Sequence, residues 1–139
     1  LDIQRILHFG RPDGTLDERP QRRVITLTDA IVAGEGEGPL APSAIPLGML
    51  TLGSTCAAVD WVHAILMGFD PQRIPLLRQA FSPHRYPLAT FSPHDIKLEV
   101  DGEHVDLHEL FDRHGRLFLP PAGWVRHCEL TPWRAIHVQ

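Results

Sequence analysis

The chain has 139 residues, which is the size of a single domain with its own hydrophobic core. Its formal net charge of −4 argues against the basic face that nucleic-acid binding requires, and no apolar stretch approaches the ~20 residues that span a bilayer. We therefore expect neither nucleic acid nor a membrane as a partner.

The two cysteines, Cys56 and Cys128, are far apart in the sequence. A secreted disulfide scaffold has more cysteines, and a zinc or iron–sulfur site has them at closer spacing. Cys56 falls in an apolar helix pattern, so we expect it to be a buried free thiol, and we expect a cytoplasmic location and no iron–sulfur cluster in this chain.

The first third of the chain predicts at least one strand. Residues 1–10 have an apolar pattern that suits a short helix and a strand equally, and residues 11–20 read as a turn. Residues 24–32 are rich in β-branched side chains and predict a buried strand, interrupted by Asp29. Residues 47–53 are almost continuously apolar and predict a second strand, of the kind found in a sheet covered on both faces.

Helices are predicted after the second strand. Ser54 or Thr55 can cap a helix that ends at Gly68, and Asp70 can cap a second, short helix with Pro71 at its first position. Strand, loop, strand, helix, helix is typical of an α/β fold. We expect a small mixed sheet of three or more strands with helices packed on it.

The last part of the chain, residues 87–139, predicts a hairpin followed by a short helix. Asp101-Gly102 supplies the two positive φ angles of a type I′ turn. Asp106 and Glu109 form a capping-box pattern, and Gly115 is the expected helix terminus. The tail, residues 125–139, is compatible with one more strand.

Residues 34–39 read GEGEGP and form the main candidate site. The segment lacks the lysine of a P-loop, and Gly38 is followed by Pro39, which excludes the helix-opening dinucleotide motif. Carboxylates on such a loop suit a hard divalent cation, a cationic substrate group or general acid–base chemistry. The alternative is a tight turn whose glutamates face water. A position beyond the carboxyl end of a strand favours a ligand site.

Three carboxylates are candidate ligand or metal-binding groups: Asp29, Glu35 and Asp60. Asp60 lies among apolar residues of the predicted helix, so it must be exposed, paired or functional. We expect the three to converge at the sheet edge. Loop geometry is assigned to Gly34, Gly36, Gly38 and Pro39.

The nine histidines predict no metal site. His104 and His108 have the i, i+4 spacing of a helical ligand pair, but the predicted hairpin places His104 on a strand while Asp106 starts the helix that contains His108. Asp106 between them does not complete a ligand set. No nucleophile-elbow motif occurs, and neither cysteine lies beside an evident base.

The order of motifs over residues 1–86 resembles the C-terminal half of domain-of-unknown-function family 362 (DUF362). In that family a D-x-x-R-I-L opening is followed by an aspartate, a G-E-G-x-G-P loop, A-V-D at a helix start, M-G-F-D and I-P. Glu37 occupies the variable place of the loop, so Glu35 is the stronger site candidate. The matching positions are Asp2, Arg5, Asp29, Gly34 to Pro39, Ala58 to Asp60, Met67 to Asp70, and Ile74-Pro75.

The resemblance implies a family-like core in residues 1–86 of one domain and a larger parent protein. Longer family members carry a further N-terminal half and cysteine-rich, ferredoxin-like segments, and the family has no secure general activity. Two hypotheses follow. In the first, the acidic loop is part of an enzyme active site that binds a divalent cation or a small polar substrate. In the second, the chain is a non-catalytic docking module of a larger, iron–sulfur-containing protein, and the carboxylates accept hydrogen bonds from N–H groups.

Overall fold

A computed structural model describes residues 1–130 of the protein. In this range the chain forms four α-helices and two antiparallel two-stranded sheets, so the predicted mixed α/β fold is confirmed. The strands are divided between two hairpins, where we expected three or more in one sheet. In chain order the elements are α1 Asp2–Phe9, β1 Thr26–Glu37, β2 Ala41–Gly53, α2 Cys56–Leu66, α3 Pro75–Ala80, β3 Leu98–Val100, β4 Glu103–Val105 and α4 Leu107–His114.

The β1–β2 hairpin is much longer than predicted. Most of the GEGEGP segment is strand, because β1 continues through Glu37 and β2 already begins at Ala41. Glu35 pairs with Ser43, and only residues 38–40 form the turn. The prediction of a glycine-rich loop over this segment was therefore wrong. The argument from the carboxyl ends of parallel strands also fails, since these two strands are antiparallel neighbours.

One face of this hairpin packs on α2 and builds the main core. Ile45 of β2 and Trp61 of α2 are both buried, and the end of β2 approaches α2 so closely that a Cβ on Gly53 would lie 2.3 Å from Cγ2 of Val59. One more residue of α2 and several side chains from later in the chain complete this core. They are Ala64, Phe69, Ile74, Leu77, Phe118 and Cys128.

A second core joins α2 to the C-terminal hairpin and α4. Val62 and Leu66 of α2 pack with Val105 and Leu110. The hairpin turns at residues 101–102 with φ angles of 52° and 85°, so the predicted hairpin and short helix are confirmed. The side chain of Asp106 makes no capping hydrogen bond, so the predicted capping box does not form.

The N-terminal segment is a helix rather than a strand, and α1 ends at Gly10. Asp70 accepts a hydrogen bond from the N–H of Gln72 at 2.9 Å and caps a 3-10 turn, Pro71–Arg73, ahead of α3. In the tail, residues 125–128 form a turn and a bend rather than a strand, and Glu129 forms an isolated β-bridge with Phe69. The rest of the predicted strand, residues 131–139, lies outside the described residues. No helix within residues 1–130 has the length and apolar character needed to cross a membrane.

Candidate functional site

The two glutamates of the GEGEGP segment bind the backbone of a distant part of the chain. Oε2 of Glu35 accepts a hydrogen bond from the N–H of Leu119 at 2.7 Å, and Oε1 of Glu37 accepts one from the N–H of Ala122 at 2.6 Å. Between them, the N–H of Gly36 donates to the carbonyl of Leu119 at 2.8 Å. The segment therefore holds residues 119–122 against the end of the hairpin.

The glycines of the segment serve this backbone arrangement. Gly36 has a φ of +77°, a conformation that L side chains rarely adopt. A Cβ on Gly34 would lie 3.0 Å from Cβ of Pro42 on the opposite strand. The turn contains a cis peptide bond between Gly38 and Pro39. Gly34 and Gly36 thus occupy positions of the hairpin end where a side chain would clash or be strained.

Asp29 lies on the other face of the hairpin, which points away from α2. It is exposed and pairs with Leu50 across the strands. Its Oδ1 accepts a hydrogen bond from the N–H of Ile31 at 3.0 Å, at the point where a bulge shifts the strand register. The aspartate thus satisfies the donor of the residue that the bulge leaves out of the ladder.

Asp60 lies on the surface of α2, beside a cavity of about 200 Å³ that is also lined by Cys56 and Leu88. Burial raises the pKa of the Asp60 carboxyl, and the nearby His63 opposes that shift. Burial likewise raises the pKa of the Cys56 thiol, which favours its neutral form. This corner is therefore partly desolvated, although Asp60 itself keeps contact with solvent.

The structure does not bring the three candidate carboxylates together. Asp29 and Glu35 lie on opposite faces of β1 because the bulge between Ala30 and Val32 interrupts the alternation of side chains, and six residue steps of strand separate their backbones by roughly 20 Å. Asp60 lies on a helix that packs against the inner face only. The expected convergence at a sheet edge fails because the chain continues as a hairpin where we predicted a loop.

A polar pair that the sequence did not point to joins the hairpin to α2. Oγ1 of Thr51, on the inner face of β2, lies 2.7 Å from Nε2 of His63 on α2. Burial lowers the pKa of His63, while Asp60 one turn earlier opposes this shift. The i, i+3 spacing of Asp60 and His63 was the available signal, since it places both on one side of a helix. The strand partner was not predictable from local sequence.

One group of potential metal ligands occurs within residues 1–130. Ligand atoms of Asp106, His108 and Glu109 all lie within 4.8 Å of one another, and all three residues are exposed. His104 is not among them, because it lies on β4 while His108 lies on α4, as predicted. Exposed acidic groups of this kind are common without a bound ion, so the cluster alone assigns no function.

Comparisons with known proteins leave the resemblance to family 362 as a prediction. No protein-family model matches the chain, and searches of curated proteins and of solved structures find no similar chain.

Proposed function

We propose that this chain is a non-catalytic docking module of a larger cytoplasmic protein, and that another part of that protein covers the outer face of the β1–β2 hairpin. The observation that carries the proposal is the apolar character of this face, on the side away from α2. Each of four side chains there is between 66% and 72% exposed. These are Ile25, Leu27, Leu50 and Leu52.

The four side chains form one continuous surface. Leu27 and Leu52 are paired directly across the two strands, and Leu50 follows two residues before Leu52 on the same face. Ile31 and Val32 extend the surface past the bulge and are 53% and 64% exposed. Contiguous exposed apolar patches are uncommon on monomers and mark interaction surfaces.

The occupant that we propose is the N-terminal half of the parent protein. The resemblance of residues 1–86 to the C-terminal half of family 362 implies that such a half exists. Asp29 is the one charged side chain among the outer-face positions of the paired segment, and its carboxylate already accepts the N–H of Ile31. An apolar protein surface is complementary to such a face, whereas nucleic acid is not.

The placement of Glu35 and Glu37 supports a structural role for the GEGEGP segment. Each carboxylate already accepts a backbone N–H, and these contacts match the second hypothesis from the sequence. A metal titration with Mg²⁺, Ca²⁺, Mn²⁺ and Zn²⁺, with Glu35→Gln as the control, tests this role. We expect no saturable change in the amide resonances of residues 34–38. Saturable shifts that the control abolishes would establish a cation site there instead.

Carbene footprinting tests the docking surface directly. A photoactivated diazirine labels exposed side chains, and the labelling of Leu27, Leu50 and Leu52 is compared between the isolated chain and the natural full-length protein. We expect strong labelling of these residues in the isolated chain and protection in the full-length protein. Leu40, which is 96% exposed in the hairpin turn, serves as the reference because it lies off this face.

Two results would overturn the proposal. Equal labelling in both proteins would show that nothing covers the face in the parent protein. Protection that rises with the concentration of the isolated chain alone would show that a second copy, rather than the N-terminal half, is the occupant.

A further inference from the structure

A cleft of about 890 Å³ opens between β2, α2 and the C-terminal hairpin. Its volume falls within the range of small-molecule sites, which are about 300–1,000 Å³. This cleft lies on the α2 side of the hairpin and is distinct from the GEGEGP segment and its contacts with residues 119–122.

The body of the cleft is apolar. Val62 and Leu66 of α2 form one wall, and Ile96, Leu98 and Val100 form the opposite wall. The three residues of the second wall are only partly buried, although they pack against the second core. They therefore keep apolar surface that a ligand can cover, and each covered Å² of it favours binding.

The floor of the cleft contains the Thr51–His63 pair. Burial lowers the pKa of His63, which favours the neutral imidazole beside the cleft. His114 also lines the cleft, and its Nε2 is buried without a hydrogen-bond partner among the described residues. A small number of polar groups that converge on an apolar cavity is typical of ligand sites.

The rim of the cleft is negatively charged. Asp95, Glu99 and Asp101 lie along it and outnumber Lys97, the single lysine of the chain. Within residues 1–130 no ion pair neutralises Glu99 or Asp101. A rim with two uncompensated carboxylates attracts cations and repels anions.

We propose that this cleft binds a small organic amine whose apolar body lies between the walls formed by α2 and β3 and whose ammonium group lies at the acidic rim. The inference is independent of the docking role proposed for the outer face of the hairpin. It names a class of ligand by shape and charge: one aromatic or branched aliphatic body with one cationic head.

Three probes of nearly equal shape test the proposal: 2-phenylethylamine, 2-phenylethanol and phenylacetate. Each is titrated into the isotope-labelled chain, and the amide resonances of Thr51, Val62 and Leu98 are followed. We expect saturable shifts with the amine, with a dissociation constant on the order of 1 mM for a ligand of this size. The alcohol should bind more weakly and the anion more weakly still. Added salt should weaken the binding of the amine, because it screens the charges, and should leave the binding of the alcohol unchanged.

A charge-removal variant locates the cationic head. Glu99→Gln combined with Asp101→Asn removes both uncompensated carboxylates, and asparagine tolerates the φ of 52° at position 101. We expect two- to fivefold weaker binding of the amine, as for exposed charge pairs, and unchanged binding of the alcohol. Asp112→Asn is the matched control, because Asp112 is exposed on α4 and does not line the cleft.

Several outcomes would overturn the inference. These are absence of saturable shifts at about 10 mM amine, binding of the anion as tight as that of the amine, shifts confined to the outer face of β1 and β2, and equal weakening by the rim variant and by Asp112→Asn.

Discussion

The carboxylate of Glu35 accepts a hydrogen bond from the backbone N–H of Leu119, 84 positions further along the chain. The contact joins the N-terminal hairpin to the segment that follows α4, and the N–H of Gly36 donates to the carbonyl of the same leucine. A residue that the sequence proposed as a ligand is thus an acceptor for the protein's own backbone. The hairpin end and the C-terminal segment are therefore stabilised together.

Glu35→Ala should lower the free energy of unfolding by about 1–2 kcal/mol, because a backbone N–H loses a charged acceptor. Urea unfolding measures the loss, and hydrogen exchange at the amide of Leu119 should become faster. Glu18→Ala is the control, since Glu18 forms an exposed ion pair with Arg85 and such pairs contribute about 0–1 kcal/mol. Unchanged exchange at Leu119 in Glu35→Ala would contradict the assignment.

Gly102→Ala should destabilise the protein by about 1 kcal/mol, because alanine is strained at a φ of +85°. Gly123→Ala is a matched substitution. A Cβ would meet open space at both positions, but only Gly102 has a left-handed φ. Because the added methyl group contacts nothing at either position, the melting temperatures of the two variants differ only through backbone strain. Equal changes in the melting temperature would show that the turn geometry assigned to residues 101–102 is incorrect.

Gly53→Ala should cost about 1–3 kcal/mol, since its Cβ would lie 2.3 Å from Cγ2 of the buried Val59. Val59→Ala removes the clashing methyl group and leaves a small cavity of its own. In the double variant the two changes compensate, so the combined loss should be smaller than the sum of the single losses. A double-mutant cycle in urea measures this coupling. Strict additivity would argue against the close approach of β2 to α2.

The stability of the protein should fall on acidification partly through His63. Its pKa is lowered in the folded state by burial, against an ordinary value of about 6.5. Below pH 6.5 the unfolded chain therefore binds a proton that the folded state resists, so this contribution is present above pH 6.5 and is lost as the pH falls below it.

The urea concentration at the midpoint of unfolding, measured at pH 7.5 and at pH 5.5, tests this pH dependence in the natural chain and in His63→Gln. The natural chain should lose more stability between pH 7.5 and pH 5.5 than the variant, because glutamine does not titrate. The other histidines are common to both proteins, so their contribution cancels in the difference. Identical losses would show that His63 is not desolvated as the contact with Thr51 implies.

Local chemistry explains which parts of this fold were predictable from sequence. The Asp101-Gly102 turn, the α2 helix that ends before Gly68 and the cap of Asp70 each depend on residues within a few positions of one another. Backbone propensity and short-range hydrogen bonds decide such features, so their sequence signals hold in the folded protein. The prediction of an α/β fold depended on these local signals.

Long-range contacts decided the candidate site. The GEGEGP segment has the composition of a loop, yet it is strand because Ser43 and its neighbours pair with it on one side and Leu119 binds it on the other. The bulge between Ala30 and Val32 then places Asp29 and Glu35 on opposite faces, although side chains six positions apart share a face in a regular strand. By itself the sequence determined the residue types, the turns and the helix ends. Only the tertiary structure decided which residues lie on the same face, because strand pairing joins residues that no local sequence pattern relates.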